Sequence, residues 1–232
     1  MSEAVDPVRL HYLLAMGVQP WVLRRPQIAA APVEKAVETS SEVEWEKLER
    51  EVSACTACPL YRTRTQAVLG AGDRRADWML IGEAPGEQED LKGEPFVGRA
   101  GQLLNAMLRA LRLSREQVYI TNILKSRPPG NRDPKPEEVA ACEPFLKRQI
   151  ALVKPKIILA VGRISAQSLL RTGAPLSRLR GKVHRYDAIP LVVIYHPAYL
   201  LRNPVAKRQA WEDLKLALQV YSAPQGSETE RQ

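Results

Sequence analysis

Short, largely apolar runs that stop at turns constrain this chain more than any other feature. Trp78, Met79, Leu80 and Ile81 form one such run, ended by Gly82. A run of this length bounded by turn residues reads as a buried strand. Gln117–Thr121 repeats the pattern and ends at Asn122, Lys156–Val161 is a third case, and Leu191–Tyr195 ends at His196. Helical spacings lie between them: Leu103, Leu104, Met107, Leu108 and Leu111 within Ala100–Leu113, then Pro136–Ile150, Arg163–Arg171 and a closing amphipathic stretch, Pro204–Tyr221. Lys182–Tyr186 and Pro190–Tyr195 complete the sheet. Strands alternating with helices predict an α/β domain, a three-layer α/β/α sandwich around a mostly parallel central sheet. In such sheets ligands bind beyond the carboxyl ends of the strands. The residues just after each run are therefore the ones to read for chemistry.

The rest of the chain divides by composition. Residues 1–25 read as a short helix followed by an extended apolar piece, and residues 26–42, rich in Ala, Pro, Glu, Ser and Val, read as a linker. Residues 43–222 are the expected domain, opened by a charged helix up to Ala54, and residues 223–232 are an expected disordered tail. The acidic linker and Trp21 either contact a partner such as a sliding clamp or pack on the domain. No window approaches the ~18 apolar residues of a membrane span, and Met1–Pro20 lacks a signal peptide's basic start, so a cytoplasmic protein, expected to be a monomer, is predicted. The net charge is +8 although residues 26–53 hold seven Glu against three Lys or Arg, so the basic excess belongs to the domain. That favours a polyanionic partner, or else a solvated basic surface with no ligand.

Several side chains follow the strand ends. Glu83 stands in the turn Gly82-Glu83-Ala84-Pro85-Gly86, with Glu87, Glu89 and Asp90 just beyond. Asn122 offers an acceptor and a donor pair that suit a base edge, or equally a loop-capping role. Phe96, between Pro and Gly punctuation, is either a stacking platform for a base or a staple that packs its loop to the core. His196 follows an apolar strand and precedes Pro197, which points it out of the carboxyl edge. Lys125, Arg127, Arg132, Lys135 and Arg202 sit on the loops after these same ends, where cations sharing a face would bind phosphate.

Four segments in register carry a resemblance: G-E-A-P-G-E-Q-E-D from Gly82, G-E-P-F-V-G-R-A-G-Q-L-L from Gly93, Y-I-T-N-I-L-K-S-R-P-P-G-N-R-D-P from Tyr119 and H-P-A-Y-L-L-R-N-P from His196. Over about residues 54–218 the chain resembles the family 4 uracil-DNA glycosylases of bacteria and archaea, which carry an iron–sulfur cluster. The resemblance implies the same sandwich fold and an enzyme that flips deoxyuridine from DNA and hydrolyses its N-glycosidic bond. It implies catalytic roles for Glu83, at the sugar or the water, and for His196, donating to uracil O2. Ala84, Glu89, Phe96 and Asn122 would bind the base: Phe96 by stacking, Asn122 by reading its edge, Glu89 by crowding C5 against a thymine methyl. Lys125, Arg127, Arg132 and Arg202 would hold DNA, with Leu200 or Leu201 as a wedge filling the gap in the stack. The competing readings are a DNA-binding protein of this fold without catalysis and a glycosylase that prefers another deaminated base.

Three cysteines in a chain of this kind favour a metal or redox role over disulfides. The family's [4Fe-4S] cluster takes four; here Cys55, Cys58 and Cys142 fill three positions and Ser126 stands at the fourth. A serine oxygen is a harder and far less acidic ligand than thiolate. Three outcomes follow: a cluster completed by an oxygen, a three-cysteine cluster, or none. Bond cleavage itself needs no metal.

Overall fold

The structure is a computed structural model that describes residues 33–223. The N-terminal segment, including Trp21, and the tail beyond Ala223 lie outside the described residues. Residues 1–39 and 40–232 form separate units, and the second holds all the elements discussed below apart from the first turns of its opening helix.

In chain order the elements are α1 (Val33–Ala54), β1 (Ala71–Gly72), β2 (Trp78–Gly82), α2 (Glu87–Lys92), α3 (Arg99–Ala110), β3 (Val118–Asn122), α4 (Pro136–Val153), β4 (Ile157–Val161), α5 (Arg163–Leu170), α6 (Leu176–Leu179), β5 (Val183–Tyr186), β6 (Ile189–Ile194), α7 (Pro197–Arg202) and α8 (Lys207–Ser222). Helix α1 begins inside the stretch expected to be a linker. Glu, Lys and Ala in Val-Glu-Lys-Ala-Val-Glu are good helix formers, no glycine or proline interrupts the run, and local propensity wins over the loop-like composition before it.

The sheet order is β1-β3-β2-β4-β6-β5. The four inner strands are parallel, and β1 and β5 pair antiparallel at the edges. Strands β2, β3 and β4 are buried along their whole length, as expected where helices cover both faces. Their alternating side chains feed two cores. Met79, Ile81, Ile158, Ala160, Leu191 and Val193 face one, against α1, α4 and α5. Trp78, Leu80, Ile157, Leu159, Val192 and Ile194 face the other, against α3, α7 and α8. The predicted three-layer sandwich is thus present, and no helix among the described residues is long and apolar enough to cross a membrane.

Helix α7 corrects one expectation. Leu200 is 1% exposed and belongs to the second core, so it is not a wedge; Leu201, 38% exposed, points outward. One turn of helix cannot present neighbouring residues to the same side. Leu200→Ala is therefore expected to cost about 2–5 kcal/mol of stability by transfer and cavity terms, while Leu201→Ala stays within about 0.5 kcal/mol. Urea denaturation of both variants checks this, and similar losses would contradict the placement.

Candidate active site

The parallel register brings the strand ends to one edge, where a cavity of about 770 Å³ is lined by Glu83, Ala84, Phe96, Asn122 and His196 among others. The turn after β2 and the loop after β3 are zipped together there: Ile123 N–H donates to the Gly82 carbonyl at 2.9 Å and Leu124 N–H to the Glu83 carbonyl at 3.0 Å. Gly82 lies opposite Asn122 in the register. A Cβ on Gly82 would come within 2.3 Å of Asn122 Oδ1 and 2.7 Å of the Phe96 ring, so only glycine lets those two side chains close over the strand end.

Asn122 is buried, and its Oδ1 has no hydrogen-bond partner among the described residues. A buried acceptor left unpaired costs about 1–3 kcal/mol, so this one calls for a donor from a ligand. Lys125 braces it from behind. Its Nζ donates to the Asn122 carbonyl at 2.6 Å and to Thr121 Oγ1 at 2.8 Å, and the side chain is fully buried. Burial pushes its pKa down to about 7. Lys125 was expected on the DNA-facing surface; a buried amine on the inner side of the loop cannot reach a phosphate.

Phe96 holds a left-handed backbone, φ 55°, which a bulky residue adopts only when its surroundings over-determine it. They do so here. Glu89 Oε1 accepts from Val97 N–H at 2.8 Å and Gly98 N–H at 3.0 Å, and its Oε2 accepts from Gly86 N–H at 3.2 Å. Arg115 donates to the Pro95 and Phe96 carbonyls. Gly101 completes the clasp, since a Cβ there would lie 1.7 Å from the Phe96 carbonyl oxygen. Glu89 does line the cavity, but its oxygens are spent on the loop that carries Phe96 and on the turn after β2.

His196 caps α7, and its Nδ1 accepts from Ala198 N–H at 3.1 Å. An acceptor Nδ1 leaves the proton on Nε2, so the ring is a neutral donor. Desolvation, helped by Arg202, pushes its pKa down to about 4. Its ring centroid is 5.6 Å from that of Phe96. Glu83 is perturbed the other way: burial, with Asp133 nearby, raises its pKa to about 7 against the opposing pull of Arg163. Arg163 and Asp133 are themselves paired at 2.5 Å. Gly162-Arg163 follows a strand end as Gly82-Glu83 does, and that shared pattern is the sequence signal for Arg163.

The basic loop is partly self-satisfied. Arg132 grips the buried Glu138 carboxylate at 2.6 and 2.9 Å, which orders the loop, and Arg127 Nε donates to Asn131 Oδ1 at 2.8 Å. Arg132 and Arg202 line the cavity with Arg163.

The cysteines sit on the other side of the turn after β2. Cys58 and Cys142 share a small apolar cluster with Leu60, Leu124 and Ala84, and burial raises the Cys142 pKa. Ser126 is buried, and its Oγ accepts from Arg64 Nη1 at 2.9 Å; Arg64 Nη2 also donates to the Ser53 carbonyl at 2.7 Å and the Cys55 carbonyl at 3.1 Å. Among the described residues no three metal-binding side chains are close enough to share an ion. A guanidinium on the fourth ligand position does not fit a four-ligand cluster as these residues stand.

The two shifted groups have opposite linkage. Glu83, raised to about 7, keeps a proton in the folded chain that the unfolded chain loses near its ordinary 4.5, so stability falls as pH rises through that window. His196, lowered to about 4, refuses a proton that the unfolded chain takes up near 6.5, so stability falls as pH drops through that window. Their effects offset one another where the windows overlap. Glu83→Gln should therefore gain stability over wild type progressively from about pH 5 to about pH 7.5, read by urea titration at each pH. Parallel curves would show that Glu83 is not held protonated.

Residues 69–215 match the uracil DNA glycosylase superfamily. A type-4 uracil-DNA glycosylase of Archaeoglobus fulgidus is 44% identical over 72% of this chain and 87% of its own length. One of Sulfurisphaera tokodaii is 45% identical over 73% and 81%, and one of Thermotoga maritima 45% identical over 66% and 80%. The chain belongs to the type-4 uracil-DNA glycosylases, within the uracil-DNA glycosylase superfamily.

Proposed function

We propose that the cavity at the carboxyl edge of the sheet takes a deoxyuridine flipped out of DNA and that the chain excises its uracil by hydrolysis, as the first step of base-excision repair. The observation that carries the reading is the unpaired Asn122 Oδ1. Uracil presents an N3–H donor to it and an O4 acceptor to the amide nitrogen, whereas cytosine has no N3–H and would leave the same acceptor unpaired. Phe96, locked by Glu89, Arg115 and Gly101, supplies the stacking face. Glu89 contributes to base selection through this loop, which sets the wall of the pocket, and Ala84 lines the same wall.

As the glycosidic bond lengthens, negative charge gathers on uracil and positive charge on the sugar. A neutral His196 with its proton on Nε2 is suited to the first, because a donor in a dry pocket stabilises developing charge at O2 without first losing its own proton. Glu83, once ionised, serves the second: its carboxylate stabilises an oxocarbenium-like sugar and can orient the attacking water. Arg127, Arg132, Arg163 and Arg202 supply the phosphate-binding side, and Leu201 is the residue left to fill the emptied stack.

The iron–sulfur cluster is the finer part of this reading. Cys55, Cys58 and Cys142 would hold it if present, and its work would be to brace the basic loop; the chemistry belongs to Glu83, Asn122 and His196. Arg64 ties Cys55, Ser53 and Ser126 together through hydrogen bonds, so the loop retains a metal-independent brace.

Excision is tested on a uracil-containing oligonucleotide followed by alkaline cleavage of abasic sites. Wild type is expected to cut; binding without scission would leave only a DNA-binding protein of this fold, and preferential cutting beside hypoxanthine would mean another deaminated base. Asn122→Ala and His196→Ala should each lower the single-turnover rate by about 10²-fold or more while changing DNA affinity far less. Ser126→Cys should hold more iron and sulfide than wild type after anaerobic purification, with stronger absorbance near about 400 nm. Chelator-treated wild type is expected to keep excision within about twofold, a difference of less than 1 kcal/mol; a collapse of activity would show that the cluster is the main brace.

A further inference from the structure

An aromatic column stands at the rim of the cavity, apart from the residues that hold the flipped base. Tyr199 stacks on Tyr195 with ring centroids 4.9 Å apart and planes 21° from parallel. Tyr195 is fixed in turn: the Arg180 guanidinium lies 3.9 Å from its ring centroid, and its hydroxyl donates to Gln209 Oε1 at 3.0 Å. Arg180 is anchored to the buried Asp213 carboxylate at 2.6 Å and to the Gln209 carbonyl at 2.7 Å. The plane of Tyr199 is therefore set by a chain of contacts reaching back into α8, yet Tyr199 itself is 38% exposed and lines the same cavity as Phe96 and His196.

This arrangement is more than packing requires. Leu200, the next residue, already anchors α7 in the core, so Tyr199 is not needed to seat the helix. An exposed ring with a fixed plane has lost its rotamer freedom before any ligand arrives, which lowers the entropy cost of stacking on it. Its position selects the occupant. Tyr199 stands three residues after His196, the N-cap of α7, and both line the cavity, which sets the ring next to the pocket that holds the flipped base. Arg202, on the same short helix, brings a cation to the same rim.

We propose that Tyr199, held by Tyr195 and Arg180, is the stacking platform for the base next to the flipped uridine on the same strand. The ring accepts any base, since every base has a π face, so it adds affinity without reading sequence. It also works on single strands, where no partner base competes for the neighbour. The proposal rests on the reading of the cavity as the uracil pocket.

The test uses a single-stranded oligonucleotide with 2-aminopurine beside a non-cleavable 2′-fluoro-substituted deoxyuridine, alongside the cleavable version. Wild type and Tyr199→Phe are expected to quench the fluorophore alike. Tyr199→Leu and Tyr199→Ala should lose the quench and bind at least about fivefold more weakly, a loss larger than any fall in the saturating single-turnover rate. Thermal unfolding of each variant establishes that the fold is kept, and the Phe and Leu pair decides the matter should Ala fail to fold. Unchanged quench and affinity in Tyr199→Leu, with wild type excising uracil, would overturn this proposal alone. A loss confined to the saturating rate would overturn it too, by assigning Tyr199 to the flipped base. Wild type that neither binds nor excises would remove the pocket reading and this proposal with it.

Discussion

The parallel register that sets Gly82 opposite Asn122 is the constraint on which the cavity depends. Four inner strands running the same way bring their carboxyl ends to one edge, and the turns that leave them carry Glu83, Asn122, Arg163 and His196. A one-residue slip in β3 would send Asn122 to the other face and break the backbone bonds from Ile123 and Leu124 to the turn after β2. Both cores prevent it, because every second residue of β2, β3 and β4 is buried on one face and every other on the opposite one. Catalytic placement is thus maintained by hydrophobic burial well away from the cavity, and the polar groups have only to be oriented locally.

That orientation is done by backbone-directed side chains rather than by exposed ion pairs. Glu89 spends its carboxylate on three N–H groups, Arg115 reaches two carbonyls, Lys125 holds the Asn122 carbonyl, and His196 accepts from Ala198. Such groups fix both the loop and the protonation state. The histidine is neutral because Nδ1 is engaged and the ring is desolvated; the glutamate tends to keep its proton because the same dry edge penalises its charge. His196 and, below about pH 7, Glu83 are therefore uncharged within a rim that also carries Arg132, Arg163 and Arg202.

The fold was legible because its signal is redundant. Strands β2, β3, β4 and β6 are declared by an apolar run and a turn and the longer helices by spacing, so small errors at the ends do no harm, whereas the two-residue edge strand β1 and the short helices α2, α6 and α7 carry no such signal. The site was legible as a set of positions and less so as a set of roles. Leu200 and Leu201 are adjacent and chemically identical, and only the packing of α7 tells which is buried. Lys125 looked like a phosphate contact because lysines on loops usually face water; its amine turns inward because Thr121 and Asn122 offer acceptors there. Arg163 and Tyr199 stand out less in the sequence, Arg163 because it opens a segment read as helix and Tyr199 because its neighbours in the same motif, His196 and Leu200 or Leu201, carry the implied roles. The stretch from Val33 shows the same limit at an element boundary, where composition spoke of a linker and helix propensity prevailed.

Ser126 is tied into the lobe around it without a metal. A thiolate at that position would draw Arg64 as a counter-charge; a hydroxyl instead accepts one of its N–H groups, and the remaining donors reach the Ser53 and Cys55 carbonyls. Hydrogen bonds to a charged donor contribute about 1.5–3 kcal/mol each in favourable settings. One of the three reaches the basic loop and the other two the end of α1 and the residue after it, so a single guanidinium links these segments without a metal. The same loop reaches the cavity through Arg132, which Glu138 orders from the first turn of α4. Arg64 and Arg132 thus link the cysteine lobe to the cavity rim through contacts that need no metal.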